Sequence, residues 1–487
     1  MKKIRVLLFV SVLVAMMAAS CAPAAAPTEA PKAPAAVEPT AVPAVVEPTK
    51  AAVSVEPTKV AEAAPAAAFD WKSQSGKSIK LLMVKHPFAE TMAKKMDQFT
   101  KDTGIKVTID YLPEENFFDK LTTLFAGKST EYDAYMVGSY QIWQYSPAGY
   151  MEPLDKYLAD PKLTSPDYDV ADILPVLMKD LKWDNVDGHA TGTGNLYALP
   201  WGFHTSNIIY RKSIFKECNI ELPKDLEQLY QAGLALKKCK PDMIPLAVRG
   251  SRSWATLHPG PMSWFTSYGG KDFEVGADGK LTCALNKNPE AVAAHELWGK
   301  IIREVAEPNY DDYTWYDVAN SFTQGKAAMF FDADIIGYFN RESSKFPDDW
   351  GLLPPPSKPG GNPTPNEYIW AIGMNAFSKN KEAAWLWMQY TTTKEFTKDA
   401  AVNGLTVDPI RQSVWDSKEW KDKIAPFTGY VDTWKAVEPY TKVYYTPQSA
   451  FFEATTEWAA ALQEIHAGKP AQQALDEACK RIDESMK

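Results

Sequence analysis

Two aspartates, Asp332 and Asp334, follow the apolar run Met329-Phe330-Phe331. A carboxylate at the end of such a strand is costly to desolvate without a partner. A pair of hydroxyls on a neutral ligand is one such partner, and Arg249 or Arg252 is the other; the pattern points to one of the two aspartates touching a ligand. Trp254 stands beside Arg252 in a Gly/Ser-rich loop, where a flat indole could stack on the C–H face of a sugar. His204 could donate to a hydroxyl, the alternative being a structural histidine in a strand. A neutral polyhydroxylated ligand needs both kinds of group, flat apolar faces and paired donors and acceptors.

Other chemistries are excluded. No Cys-x-x-Cys or histidine spacing suggests a metal, and no cofactor is called for. Gly188, Gly192 and Gly194 neither follow a strand nor open a helix, so they predict a turn and not a phosphate cradle. No window pairs carboxyls in the context that glycoside hydrolysis requires.

The elements that must hold these residues are readable at the start of the body. Ile79 to Val84 is a short apolar run of a buried strand. One helix is expected from Pro87, with Phe88, Met92, Met96 and Phe99 on one face and Gly104 closing it. Ile105, Val107, Ile109 and Tyr111 alternate with polar residues as in a strand. A second helix carries Phe117, Leu121 and Leu124 and ends at Gly127, before a strand from Tyr132 to Val137. Strand and helix in alternation predict an α/β fold in which ligands bind beyond the carboxyl ends of the strands. That rule singles out His86, then Glu115 and Asn116, then Ser139, Tyr140 and Trp143.

Ahead of this body, Lys2, Lys3 and Arg5 precede an apolar run from Val6 to Ala19, too short to span a bilayer. Residues 1–20 read as a signal peptide. Ala18-Ala19-Ser20-Cys21 resembles a lipobox, with Ala18 where the pattern favours Leu, and makes Cys21 the expected lipidation site. From Ala22 to Ala68 every residue except Ser54 is Ala, Pro, Val, Glu, Thr or Lys, and Val-Glu-Pro-Thr recurs at Val37, Val46 and Val55. Such a segment buries too little apolar surface to fold, so 21–68 is expected to be a tether for a membrane-anchored, extracytoplasmic body.

The net charge of −9 argues against nucleic acid, whose binding leans on Lys and Arg. Sixteen tryptophans suit a binder of carbohydrate faces, although most must serve packing. Cys218, Cys239, Cys283 and Cys479 permit three disulfide connectivities, of which Cys218–Cys239 is preferred because the two flank one helical segment.

Residues 77–487 resemble the sugar-type extracellular solute-binding proteins of ABC importers, family 1. The order of motifs carries the likeness: the strand and helix series at 79–158, "LYALPWGFHTSNIIYRKSIF" (196–215) as a hinge, "FTQGKAAMFFDADIIG" (322–337), "WGLLPPPSKPGG" (350–361) and "WAIGMNAFSKNKEAAWLWMQYTTTKEF" (370–396). "RGSRSW" (249–254) and "GKAAMFFDADIIG" (325–337) are most similar to the sugar and sugar-alcohol binders. The resemblance implies a two-lobed periplasmic-binding-protein-like fold, each lobe a mixed, mostly parallel sheet flanked by helices. It places an N-lobe at 77–203 plus 353–395 and a C-lobe at 208–350 plus 398–487. The final helix, with Ala471, Leu475, Ala478 and Ile482 on one face, would pack on the C-lobe.

In that frame Trp201, following Pro200 at the hinge, is expected to face the cleft or to pack the hinge. Asn366, Glu367 and Trp370 lie on the returning N-lobe segment, and "VDPIRQSVW" (407–415) resembles the family's Pro-x-Arg loop, making Arg411 a hydroxyl donor. The expected ligand site is thus Trp201, His204, Trp254, Asp332, Asp334, Tyr140, Arg411, Trp370 and Glu115. Trp264 is expected to be buried. Tyr444-Tyr445 resembles the tyrosine pair of ferric-ion binders, but the other motifs point elsewhere. The implied role is non-enzymatic: a monomer captures a sugar or polyol and delivers it to an ABC permease. The competing readings are a receptor module serving a sensor kinase and a secreted carbohydrate-active enzyme.

Overall fold

The structure, a computed structural model, describes residues 68–487 apart from Glu342. The signal sequence, Cys21 and the Pro/Ala-rich segment lie outside the described residues. No described helix is long and apolar enough to cross a membrane.

Strand β1 (Ser78–Val84) is buried from Leu81 to Val84, as a strand covered by helices on both faces must be. It pairs in parallel with β2 (Lys106–Leu112) and β3 (Ala134–Gly138). The single helix expected after Pro87 is two helices, α1 (Pro87–Ala93) and α2 (Met96–Thr103), broken at Lys94 and Lys95. The break lets each end pack on a different neighbour: Phe88 meets Phe339 at 5.5 Å, whereas Phe99 meets Trp387 and Tyr390, each at 5.1 Å. Met96, which a continuous stripe would bury, is left half-buried. Gly104 ends α2 at φ 76°, the left-handed cap its lack of a Cβ allows. Helix α3 (Glu114–Ala126) covers β1, and α4 (Ser139–Tyr145) follows β3 directly.

The hinge motif is one long strand, β4 (Ala198–Arg211), buried along its whole length. The second half of the chain adds β5 (Ile244–Ala247), the short helix α5 (Trp254–Leu257), α6 (Pro289–Val305), α7 (Trp315–Thr323), β6 (Ala327–Ala333) and α8 (Asp334–Asn340). Then come β7 (Trp350–Leu353), β8 (Glu367–Met374), α9 (Lys381–Tyr390), α10 (Phe451–His466) and α11 (Ala471–Ser485). Sheet order is β2-β1-β3-β8-β4-β6-β5, with β7 also on β4.

Strand β4 belongs to two half-sheets. Ala198 to Thr205 pair antiparallel with β8, whereas Ser206 to Tyr210 pair with β6 and Ile208 to Arg211 with β7. The partner switch falls between Thr205 and Ser206. Trp370 opposes Gly202 and Ala371 opposes Pro200, so Trp201 is the extra residue of a β-bulge.

Both body disulfides form, Cys218–Cys239 and Cys283–Cys479. The second closes a separation of 196 residues and ties a hairpin to α11. In α11, Ala471, Leu475, Ala478 and Ile482 are buried against α10 and α6. Trp264 is fully buried.

Candidate functional site

A small cavity of about 20 Å³ lies where the two half-sheets meet, room for roughly one water. Its floor comes from β4 and β8. His204 opposes Tyr368 across the ladder, and Trp370, two residues along β8, shares the face of Tyr368. The His204 and Tyr368 rings stack with centroids 5.4 Å apart, and Tyr368 meets the edge of Trp370 at 4.9 Å.

The walls are residues at strand exits and helix starts. From the first half-sheet come His86, after β1, and Glu114, which opens α3. From the second come Arg249, after β5, with Trp254 and His258 on the next turn, Trp315 at the start of α7, and Phe339 on α8. Trp254 stacks on His258 at 5.5 Å, and His258 lies 5.3 Å from His204. His86 meets Trp370 at 4.9 Å and Phe339 at 5.3 Å.

The charge of Arg249 is cancelled within the protein. Arg249 is held by Asp332 in a two-pronged ion pair, Nε to Oδ2 at 2.8 Å and Nη2 to Oδ1 at 2.6 Å. Its Nη1 donates to the Ala255 carbonyl at 2.9 Å and contacts His258 Nε2 at 3.3 Å. Since Arg249 can only donate, His258 Nε2 accepts and the ring proton sits on Nδ1. That Nδ1 has no protein partner, nor has either ring nitrogen of His204, although all three atoms are buried. Burial, reinforced by the Arg249 charge, pushes both imidazoles well below their usual pKa. Burial alone lowers His86 to about 3. Its Nδ1 accepts from the Phe88 N–H at 3.2 Å, capping α1.

Buried polar atoms in native proteins almost always find a partner. Neutral imidazoles offering donors and acceptors on an aromatic floor are complementary to an uncharged hydroxylated molecule. The Arg249–Asp332 pair is neutral as a unit and so favours neither a cation nor an anion.

Several residues expected at the site lie elsewhere. Trp201 is buried, and its indole donates to Thr391 Oγ1 at 2.9 Å, on the helix side of the sheet. The bulge interrupts the alternation of faces at Trp201, and the Thr391 contact is what places its indole away from the cavity. Arg411 is fully buried, with its guanidinium donating to the carbonyls of Thr392, Asp169 and Tyr168 and to Asp172. It fastens three loop segments. Neither aspartate lines the cavity: Asp332 is consumed by Arg249, and Asp334 accepts from the backbone N–H and hydroxyl of Thr205 at 3.2 and 2.8 Å. Asp334 thereby pins the switch point of β4, beside Asp408, whose pKa burial and the Asp334 charge drive up. The Glu115 side chain lies outside the described residues; its neighbour Glu114 lines the cavity.

Tyr140 stands behind the wall. Its hydroxyl donates to the Glu367 carbonyl at 2.8 Å and receives Asn366 Nδ2 at 2.7 Å, while its ring backs Tyr368 at 5.1 Å and Trp254 at 6.1 Å. His204, Trp254 and Trp370 line the cavity, joined by His86, Arg249, His258, Trp315 and Tyr368. Two of these had a signal in the sequence: Tyr368 shares the parity of Trp370 on a strand, and His258 lies four residues after Trp254 at helical spacing.

The family described as bacterial extracellular solute-binding protein matches residues 85–398. The chain belongs to that family. Among curated solute-binding relatives, the erythritol/L-threitol-binding protein of Mycolicibacterium smegmatis is 35% identical over 406 residues, 83% of this chain and 84% of that one. The mannitol-binding protein of Pseudomonas aeruginosa is 22% identical over 313 residues, 63% of this chain and 66% of that one. In structure the chain is similar to a solute-binding protein of Agrobacterium radiobacter in complex with ribitol, with TM-score 0.72 and 24% identity over 84% of this chain and 98% of that one. It is as similar to one of Agrobacterium vitis with bound D-mannitol, with TM-score 0.70 and 23% identity over the same shares. The chain is a binding protein and not an enzyme.

One glycine seats the floor of this candidate site. A Cβ on Gly138, at the turn from β3 into α4, would land inside the Tyr368 phenol, whose hydroxyl donates to Gln141 Oε1 at 3.1 Å. Gly138→Ala is therefore expected to push Tyr368 into the cleft, lowering stability by about 1–3 kcal/mol through overpacking. It should weaken binding although residue 138 does not line the cavity; calorimetric titration and melting of the variant check both.

Proposed function

We propose that this protein captures a short, uncharged polyol between its two lobes and delivers it to the permease of an ABC importer. The observation that carries this reading is the pair of neutral, buried imidazoles, His204 and His258, whose unpartnered nitrogens face one another's neighbourhood on an aromatic floor. The 35% identity to an erythritol/L-threitol binder favours a four-carbon ligand. A thermal-shift screen over erythritol, threitol, ribitol, mannitol and common mono- and disaccharides tests it, because a ligand that binds only the folded state raises the midpoint. The tetritols are expected to give the largest shift, and no shift with any polyol overturns the reading.

The lobe boundaries follow the pairing of β4. The N-lobe takes 77–203 plus 353–395 and the C-lobe 208–350 plus 398–487; β8 pairing before the switch and β7 after it support the first crossings, whereas the segment around Arg411 is bonded to the N-lobe carbonyls of Tyr168 and Asp169. Closure then rotates the lobes about the Thr205–Ser206 region. The lipobox-like sequence and its tether assign the body to the outer face of a membrane through lipid on Cys21. Cys21→Ser is expected to release a folded protein from the membrane fraction, and retention after a carbonate wash would contradict the anchor.

His86, His204 and His258 stay neutral when folded, while in the unfolded chain they take up protons below about pH 6.5. Their contribution is fully present above that pH and is lost as pH falls towards the folded values, while the buried carboxyls of Asp334 and Glu307, raised to about 6 and about 8, gain stability as pH falls and oppose that loss. Polyol affinity, made by imidazoles that are neutral throughout, is expected to stay constant from pH 8 to pH 5.5. Titrations across that range check it; an affinity that halves near pH 6.5 would contradict it.

A further inference from the structure

Helix α3 lies along one side of the cleft and reaches the opposite lobe at two points. Glu114 and Phe118 are four residues apart, hence on one face of the helix. The indole N–H of Trp315 donates to Glu114 Oε2 at 3.1 Å, and Phe118 meets the Trp254 ring edge-on at 6.1 Å. Helix α3 packs on β1 in the first half-sheet, whereas α7, which begins at Trp315, packs on β6 and β5 in the second. The Trp315–Glu114 bond is thus a polar tie across the cleft. The Trp315 ring is itself braced from outside by Tyr316, stacked at 3.7 Å.

The two ends of the cavity differ in what it would take to enlarge them. The inner end is built of Tyr368, His258 and Arg249, which are 0%, 3% and 7% exposed and locked to Gln141, Arg249 and Asp332. No longer ligand could grow in that direction without breaking a buried ion pair. The outer end is Glu114 with Trp315, both only half-buried. Trp254 and Phe339 are half-buried beside them, and of these four Glu114 and Trp315 are joined across the cleft by a hydrogen bond, so a carbon added towards this end meets that tie or the rings next to it.

Resting on the polyol reading above, we propose that the Glu114–Trp315 tie is the element that limits ligand length. The cavity of about 20 Å³ must widen for any polyol, and each further carbon strains the tie more or leaves the lobes less completely closed. Selectivity then comes from a contact between the lobes and not from a hydroxyl contact in the floor.

The test is calorimetric titration of erythritol, ribitol and D-mannitol into wild type, Trp315→Ala, Trp315→Phe and Glu114→Gln. Trp315→Ala opens the end wall, and the ratio of the mannitol Kd to the erythritol Kd is expected to fall at least tenfold. Trp315→Phe keeps a ring but has no N–H, and a fall of about threefold is expected; it also serves if the alanine variant does not fold. Glu114→Gln retains an accepting oxygen and should keep the wild-type ratio. Unchanged ratios in both tryptophan variants, with erythritol still bound, overturn the length limit alone. A wild type that binds none of the three polyols overturns the polyol reading and this proposal with it.

Discussion

Asp332→Ala is expected to lower folding stability by about 3–5 kcal/mol, because it strands the Arg249 guanidinium, 7% exposed, without its counter-charge. The same change frees Arg249 from the geometry in which it contacts His258, so polyol binding should be lost as well. Denaturant melting of the variant, followed by titration of whatever remains folded, separates this from a direct role. A carboxylate that touched ligand would leave the melting of the empty protein unchanged and reduce affinity alone.

Trp254→Ala is expected to show the opposite signature, a loss of affinity of about 2–4 kcal/mol with little change in melting. Its ring is half-buried, lies on His258 at 5.5 Å and Tyr368 at 5.6 Å, and lines the cavity. Trp201→Ala provides the control. That indole is buried against Thr391 on the far side of the sheet, and its truncation should cost about 3–5 kcal/mol of folding stability while the folded fraction binds normally. If Trp201→Ala binds weakly and melts like wild type, the faces of β4 have been assigned the wrong way round.

Local pattern made the fold legible. Periodicity located β1, β2, α3 and β3 within a few residues, and the order of motifs marked β4 as the joining strand. The site was legible only where a residue's own element decides its direction. Trp254, His204 and Trp370 each reach the cavity from a strand exit or a strand face. Parity along β4 does not place Trp201 relative to His204, three residues on, because the bulge that removes Trp201 from the ladder interrupts it and has no local signature. Asp332 depends on a partner 83 residues away in sequence, and Arg411 on backbone carbonyls up to 243 away. Such pairings are decided by topology, and a sequence window shows only that a charge exists. Glu114 was passed over for Glu115 because a helix start fixes which of two adjacent carboxylates faces the cleft, and that start lies at Glu114 itself.

The account stands on His204 and His258 giving their free nitrogens to a hydroxylated ligand, and imidazole nitrogen NMR during titration with erythritol reads that contact directly. The chain has six histidines, of which His189, His295 and His466 lie outside the cavity and serve as internal references. The account predicts that the ring signals of His204 and His258 shift with ligand, saturate together, and remain those of neutral imidazoles, while the three references stay in place. Saturation of binding with both signals unmoved would contradict it.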